Sequence, residues 1–253
     1  MSAIIPSFKG GLGNILFELA GTYGIAKSIG YKLIINLNSY TKTTHSSINY
    51  FDSLLKKWCA FHKNTINISN IVYEKDLHPI TQIPSNGVTY IDGYLQNYEY
   101  FHNVRSDILN MITFDYSVIS KYDKLVESAF IHVRGGDYIG NSTNFVDLSK
   151  YYPRAISHIN ASHYYIFTND KSYLESQDWL KTINFTIVEE NEIDSLLIMK
   201  ECKAGAICAN SSYSWWGAYL NTERCITMPS KWFNNNVFYT KGYYFPGVHI
   251  ISV

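Results

Sequence analysis

The amino-acid sequence predicts an α/β fold made of two Rossmann-like lobes facing a central cleft. Three observations carry this reading. Short β-branched runs alternate with amphipathic stretches of helical spacing along most of the 253 residues. A glycine-rich turn, Gly10-Gly-Leu-Gly-Asn14, joins a first strand to a first helix. A second apolar strand, Ala129–Arg134, again runs straight into a glycine loop, and strand–helix alternation is cleanest after it. A break near 115–127 divides the chain into an amino-terminal lobe, 1–115, and a carboxy-terminal lobe, 116–253. Parallel sheets carry their functional loops at the carboxyl ends of their strands, so both lobes are expected to address one crevice.

The elements follow in order. A strand at Ile4-Ile5 leads through the glycine turn into a helix reaching about Ile29. Leu12, Ile15, Leu16, Leu19, Tyr23 and Ala26 recur along it at helical spacing. Gly30 stops it, and Lys32–Asn36 reads as the next strand. From Leu37 to Gly87 the pattern weakens, with a short helix expected around 51–61 and a strand around 66–73. Val88–Asp92 is a strand; 98–111 and 117–127 read as helices. In the second half, strands are expected at 129–134, 164–168, 185–188, 204–208 and 225–228. Helices are expected at 148–159, 171–180, 192–202 and from Asn210 to about Leu220. No repeat or low-complexity tract is visible.

Composition narrows the function classes. Hydrophobic residues make up 46% and charged residues 17%, the profile of a folded chain able to bury a core. A formal net charge of zero argues against non-specific nucleic-acid binding. An anion site must therefore be built from a few placed cations and backbone amides. The amino terminus is too short and polar for a signal peptide, and no window supplies the ~18 apolar residues of a membrane span. The expectation is a cytoplasmic protein with at most peripheral membrane association. Cys59, Cys202, Cys208 and Cys225 form no CxxC pair, so reduced core thiols are expected and no metal site.

Three constellations carry chemistry. In Gly10–Asn14, glycines between strand and helix let backbone N–H groups approach a ligand beside the positive helix end; a tight structural turn is the competing reading. It is neither a dinucleotide fingerprint nor a P-loop. Asn14 and Glu18 lie four residues apart on one helical face, where they can point into a cleft or, for Glu18, into solvent. In His132-Val-Arg-Gly-Gly-Asp137, strand alternation puts His132 and Arg134 on one side. A guanidinium ending an apolar strand needs a partner: a phosphate held bidentately, or Asp137 in an internal ion pair. Gly135 and Gly136 free the backbone to curl around a ligand. In Ala209-Asn-Ser-Ser-Tyr-Ser-Trp-Trp-Gly217, Asn210, Ser211 and Ser212 suit a helix start that binds an anion or merely caps itself. A weaker spot, Phe167-Thr-Asn-Asp170, places Asn169 and Asp170 at a strand end, to meet a purine edge or to cap the next helix.

These segments, in this order, resemble the α-1,2-fucosyltransferase family, family 11 of the glycosyltransferases. Its members carry a Gly-Gly-Leu-Gly-Asn start, a His-Val-Arg-Arg-Gly-Asp-Tyr motif and a late Ala-Asn-Ser-Ser-Phe-Ser-Trp-Trp-Gly-Ala segment. Supporting matches are Gly93–Gln96, Tyr151-Tyr152, Tyr164–Asp170 and Pro229–Phe233, so the similarity spans nearly the whole chain. The resemblance implies a GT-B-like fold, GDP-β-L-fucose as donor, inversion to an α-linked product, a glycan acceptor, and neither metal nor cofactor. It also implies that Arg134 holds the β-phosphate, His132 lies against the nucleoside, Ser211 and Ser212 bind phosphate, and Asp170 is near the guanine. Asn14 and the amino-terminal lobe would face the acceptor. This chain departs from the pattern at Gly135, where relatives have a second arginine, at Ile15, where they have glutamine, and at Glu18.

The mechanism this implies is a single displacement through an oxocarbenium-like state, with Arg134 and the Asn210–Ser212 helix start taking the growing charge on GDP. Glu18 and Asp137 are the carboxylates nearest the motifs and so the candidate bases. Two other readings compete: transfer from another nucleotide sugar, and a glycan- or GDP-binding protein without turnover, which Gly135 suggests.

Overall fold

In the computed structural model, which describes residues 2–37, 40 and 48–253, the strands assemble into two wholly parallel sheets. Part of the weakly patterned stretch after Leu37 lies outside those residues. The described chain divides into two compact units, one reaching to Phe114 and including Val237–Tyr243, the other holding Asp115–Asn236 and Tyr244–Val253. The division by sequence assigns 237–243 to the carboxy-terminal half; in the structure the chain returns to the first unit for those residues.

The first unit has a four-stranded sheet. Its strands are β1 (Ala3–Pro6), β2 (Lys32–Leu33), β3 (Asn70–Tyr73) and β4 (Val88–Asp92), in the order β2-β1-β4-β3. Alternation along β1 sends Ile4 into a cluster with Ile25, Ala26, Ile91 and Leu95, and Ala3 and Ile5 into one with Ile34. Helix α1 (Leu12–Ser28) follows β1 and is buried at nearly every position, including the polar Glu18 and Thr22. That is the pattern of a helix enclosed on all sides, not of one lying on a surface. Gly24 is needed there, because a Cβ at this site would fall 1.9 Å from the Tyr100 carbonyl oxygen.

The second unit has a six-stranded sheet. Its strands are β5 (Ser128–Val133), β6 (His163–Thr168), β7 (Phe185–Ile187), β8 (Gly205–Ile207), β9 (Cys225–Pro229) and β10 (Val248–Ile251). They lie in the order β10-β9-β8-β5-β6-β7. The helices are α2 (Arg105–Met111) in the first unit, and α3 (Tyr151–Ser157), α4 (Lys171–Glu175), α5 (Glu192–Glu201) and α6 (Ser212–Tyr219) in the second. β5 is buried throughout, as expected of a central parallel strand. Ala129, Ile131 and Val133 join a core with Tyr151, Tyr152 and Trp179, leaving Phe130 and His132 to the opposite face.

Several expected helices are shorter than their apolar spacing suggests. Asn49, Asn97 and Asp115 each accept a hydrogen bond from the backbone N–H two residues on, at Phe51, Glu99 and Ser117. Each bond starts a tight 3₁₀ turn at 50–52, 98–100 and 116–121 in place of an α-helix. The strand expected at 32–36 pairs only over Lys32–Leu33, with Ile35 forming a lone bridge to His62.

Candidate active site

In an open parallel sheet, ligands gather outside the strand carboxyl ends where the strand order reverses. Each unit has one such point. In the second unit it lies between β5 and β8, the neighbours whose loops carry Arg134–Asp137 and Asn210–Ser212. In the first it lies between β1 and β4, whose loops carry Gly10–Asn14 and Gly93–Gln96. The sequence motifs thus sit where topology alone would look for a site.

At the second unit's switch point Arg134 leaves β5 with its side chain about one-fifth exposed. Its Nη2 is 2.8 Å from Asp137 Oδ1 and donates to Oδ2 at 2.9 Å, so the internal ion pair does form. The guanidinium also lies 5.0 Å from the centre of the Tyr138 ring. Its Nε is buried with no hydrogen-bond partner among the described residues. Asp137 is half exposed and accepts from Asn169 Nδ2 at 3.2 Å, so the carboxylate orients the arginine while Asn169 orients the carboxylate.

The glycine loop is held from the side. Gly135 N–H donates to Asn169 Oδ1 at 3.0 Å and Gly136 N–H to Asp170 Oδ2 at 2.9 Å. These two amides are therefore already engaged by side chains of the β6–α4 loop. Gly136 has φ +52°, a conformation glycine tolerates. A Cβ on Gly135 would lie 2.8 Å from Asp170 Cβ and 3.0 Å from the Tyr173 ring. Its glycine is thus a packing requirement of this loop, and the second arginine of relatives has no room here unless Asp170 moves. Asp170 itself caps α4 through Tyr173 N–H at 2.9 Å. The Tyr173 and Gly136 amides hold its carboxyl below the usual range. Both its oxygens serve the fold, one on Tyr173 N–H and one on Gly136 N–H, so the helix-capping alternative does form.

His132 precedes this loop on the face away from the core cluster. It is 3% exposed, packs 5.7 Å from the Tyr213 ring, and its Nδ1 has no hydrogen-bond partner among the described residues. Burial, then the Arg134 charge, pushes its imidazole down to about 3, so it is neutral. Across the switch point Ser211 caps α6, its Oγ accepting from Tyr213 N–H at 3.4 Å, and Ser212 opens the helix. Asn210 has a different task from the one expected. Its amide donates to the carbonyls of Asn144 at 2.9 Å and Trp232 at 2.8 Å, fastening two loops.

At the first unit's switch point Asn14 Oδ1 accepts from Gln96 Nε2 at 2.8 Å. Glu18, by contrast, is not exposed at all: its carboxyl receives Lys9 N–H at 3.0 and 3.1 Å and the Ser7 hydroxyl at 3.5 Å. Burial raises it well above the usual carboxylate range despite these contacts. A carboxyl enclosed and spent on the β1–α1 loop cannot reach an acceptor hydroxyl, which corrects its assignment as a candidate base. Glu74 is a second carboxyl here, half-buried, raised by burial and accepting from Leu95 N–H at 3.0 Å.

Sequence reading missed two positions of note. Gln96 is visible only within the Gly93–Gln96 match, and its bridging role needs the fold. Arg224 is a buried cation whose guanidinium donates to the carbonyls of Met199 and Gly217 at 2.6 Å and to Cys202. These carbonyls lie at the ends of α5 and α6, so two helix C-termini help to neutralise the charge. Burial still lowers it to about 10. Cys202 and Cys208 lie in the same region as free thiols pushed up to about 12 by burial. Among the described residues no group of three or more His, Cys, Asp or Glu gathers as metal ligands do, and no helix is long and apolar enough to cross a membrane.

Comparison with known proteins places the chain in a family. The family described as glycosyl transferase family 11 matches residues 9–246. An α-1,2-colitosyltransferase of Escherichia coli is 26% identical, across 92% of this chain and 93% of that one. A galactoside 2-α-L-fucosyltransferase of Caenorhabditis elegans is 25% identical, across 86% and 68%. The E. coli O-antigen biosynthesis glycosyltransferase WbnK is 30% identical across 58% of this chain and 53% of its own length. Among solved structures, the fucosyltransferase NodZ from Bradyrhizobium superposes with a TM-score of 0.52 at 13% identity, covering 87% of this chain and 93% of that one. At that identity the likeness is one of fold, and with two parallel-sheet α/β units it makes this chain GT-B-like. The family match spans nearly all of the sequence, and the chain belongs to glycosyl transferase family 11.

Proposed function

We propose that the chain transfers L-fucose from GDP-β-L-fucose to the 2-hydroxyl of a galactose-type sugar on a glycan. The observation that carries this is Arg134 at the β5–β8 switch point, with the Ser211-capped start of α6 on the neighbouring strand. A fixed guanidinium and a helix start are the two devices that hold a pyrophosphate without a broad basic surface. The relatives named for α-1,2 and galactoside 2-α linkages support the choice of hydroxyl.

In the proposed reaction the acceptor hydroxyl oxygen bonds to the anomeric carbon from the face opposite GDP. The bond from that carbon to the β-phosphate oxygen breaks, and its electron pair leaves with GDP. Arg134 stabilises the charge that grows there, and its planar fork does so most strongly as the bond breaks. His132, neutral and beside Arg134, is assigned to the nucleoside side of the donor by the family resemblance. With Glu18 enclosed, Asp137 is the carboxylate left to receive the acceptor's proton. Arg134 supplies the cation for the pyrophosphate, so the reaction needs no metal.

A second reading, transfer of a different sugar from GDP, is favoured by the colitosyltransferase relative that aligns along nearly the whole chain. The deciding experiment offers GDP-fucose and GDP-colitose with lactose and other β-galactosides, following GDP release and the product linkage by NMR. A product fucosylated at the galactose 2-hydroxyl is expected. Colitosyl product alone selects the second reading; GDP binding with neither release nor transfer selects a protein without turnover.

A further inference from the structure

The stretch Val237–Tyr243 belongs to the first unit although the residues on both sides of it belong to the second. Such an excursion needs an anchor, and Tyr243 supplies one. It is fully buried, with its ring set edge-on to Phe17 of α1 at 6.4 Å. Its hydroxyl donates to Gln96 Oε1, and Gln96 Nε2 donates to Asn14 Oδ1 at 2.8 Å. The neighbouring Gly242 lets the backbone approach Asn97 closely, since a Cβ there would lie 2.5 Å from Asn97 Cγ. At the far end Asn14 lies over Gly10, whose φ is +73°; a Cβ on Gly10 would fall 2.3 Å from Asn14 Nδ2.

The relay has a direction. A phenolic hydroxyl that donates to Gln96 fixes the Gln96 oxygen towards itself and the Gln96 NH₂ towards Asn14. Asn14 must then turn its oxygen to Gln96 and its own NH₂ towards the Gly10 loop. Without the phenol, Gln96 can present either end of its amide to Asn14.

We propose that Tyr243 is a positioning residue for the acceptor: through Gln96 it sets the orientation of the Asn14 amide at the β1–β4 switch point. The inference rests on the reading that Asn14 meets the acceptor sugar, and it explains why the chain returns to the first unit before its last strand. It assigns a neutral hydroxyl-bearing ligand to that point, recognised by an oriented amide.

The test compares the wild-type chain with Tyr243→Phe, Gln96→Leu, Asn14→Ala and the double variant Tyr243→Phe/Asn14→Ala. Two properties are read: amide hydrogen exchange over residues 9–15, and steady-state kinetics with lactose varied at saturating GDP-fucose. Tyr243→Phe and Gln96→Leu are each expected to speed exchange in that segment. Each is expected to raise the KM for lactose about five- to tenfold, the effect of one lost neutral hydrogen bond, with GDP affinity unchanged. The double variant is expected to be no worse than Asn14→Ala. Unchanged exchange in Tyr243→Phe overturns the inference whatever the kinetics, and so do effects that multiply in the double variant. Faster exchange with a lactose KM that neither Tyr243→Phe nor Asn14→Ala alters overturns instead the reading of Asn14 as an acceptor contact, and the acceptor role of Tyr243 with it.

Discussion

The two switch points are built on the same topology and filled with opposite chemistry. The one between β5 and β8 has a cation, a neutral imidazole and a helix start. The one between β1 and β4 has a buried carboxyl, Glu18, a half-buried one, Glu74, and a relay of amides and a phenol, with the ion pair Lys9–Asp92 at the margin. Under the proposed function this contrast is a division of labour. A pyrophosphate demands charge that is fixed before it arrives, whereas a sugar hydroxyl demands neutral donors and acceptors whose orientation is settled. In each case the polar side chains around the site are consumed in holding the loop, so that only a few remain for a ligand.

Arg134→Ala should lower kcat/KM for the GDP-sugar by roughly 10²–10³-fold, the loss of about 2.7–4 kcal/mol of transition-state stabilisation, with an unchanged circular dichroism spectrum. Restoring the relatives' second arginine by Gly135→Arg should not help: it displaces Asp170 and frees the Gly136 amide. Thermal unfolding of that variant should begin at a lower temperature, with no gain in GDP affinity. If Arg134 meets the charge on the pyrophosphate as proposed, chelation with EDTA should leave the transfer rate unaltered.

The pH dependence of stability should differ in sign between the two sites. His132 titrates at about 3 when folded and near its ordinary value of 6.5 when unfolded. Between those values the unfolded chain binds more protons, so this contribution to stability is present above pH 6.5 and is lost as pH falls towards 3. Glu18 has the opposite shift: its folded carboxyl is raised, so the folded chain binds more protons above pH 4.5 and stability from this group falls as pH rises. His132→Asn should flatten the acid side of a denaturation profile measured against pH. Glu18→Gln, which keeps an acceptor for Lys9 N–H, should flatten the other side and leave transfer at neutral pH nearly unchanged; a large loss of rate would return Glu18 to the chemistry.

What was legible in the sequence follows from which residues announce themselves locally. β5 and β6 are long apolar runs with clear ends, and the structure extends each by one residue at most. Arg134 and Asn14 stand beside glycines that interrupt a strand–helix pattern, so their places at the switch points follow from spacing and topology. β10 was not legible: Val248–Ile251 is half exposed and follows aromatic loops, and its pairing with β9 spans the excursion into the other unit. The 3₁₀ turns were hidden because the apolar spacing around them, and the Asn or Asp that caps each, look the same at the start of an α-helix. Gln96 and Tyr243 are 147 residues apart, and one tyrosine among 22 carries no mark of a partner. The occupied amides of Gly135, Gly136 and Asn210 were equally invisible, since a glycine or asparagine next to a loop looks the same whether it waits for a ligand or has already been used.

Calorimetric titration of GDP into the wild-type chain, Arg134→Ala and Asn14→Ala tests the division between the two switch points most directly. The account predicts that Arg134→Ala loses about two orders of magnitude in affinity, the effect of a charge-assisted contact removed, while Asn14→Ala binds GDP as the wild type does. GDP affinity that survives in Arg134→Ala, or that collapses in Asn14→Ala, would contradict it.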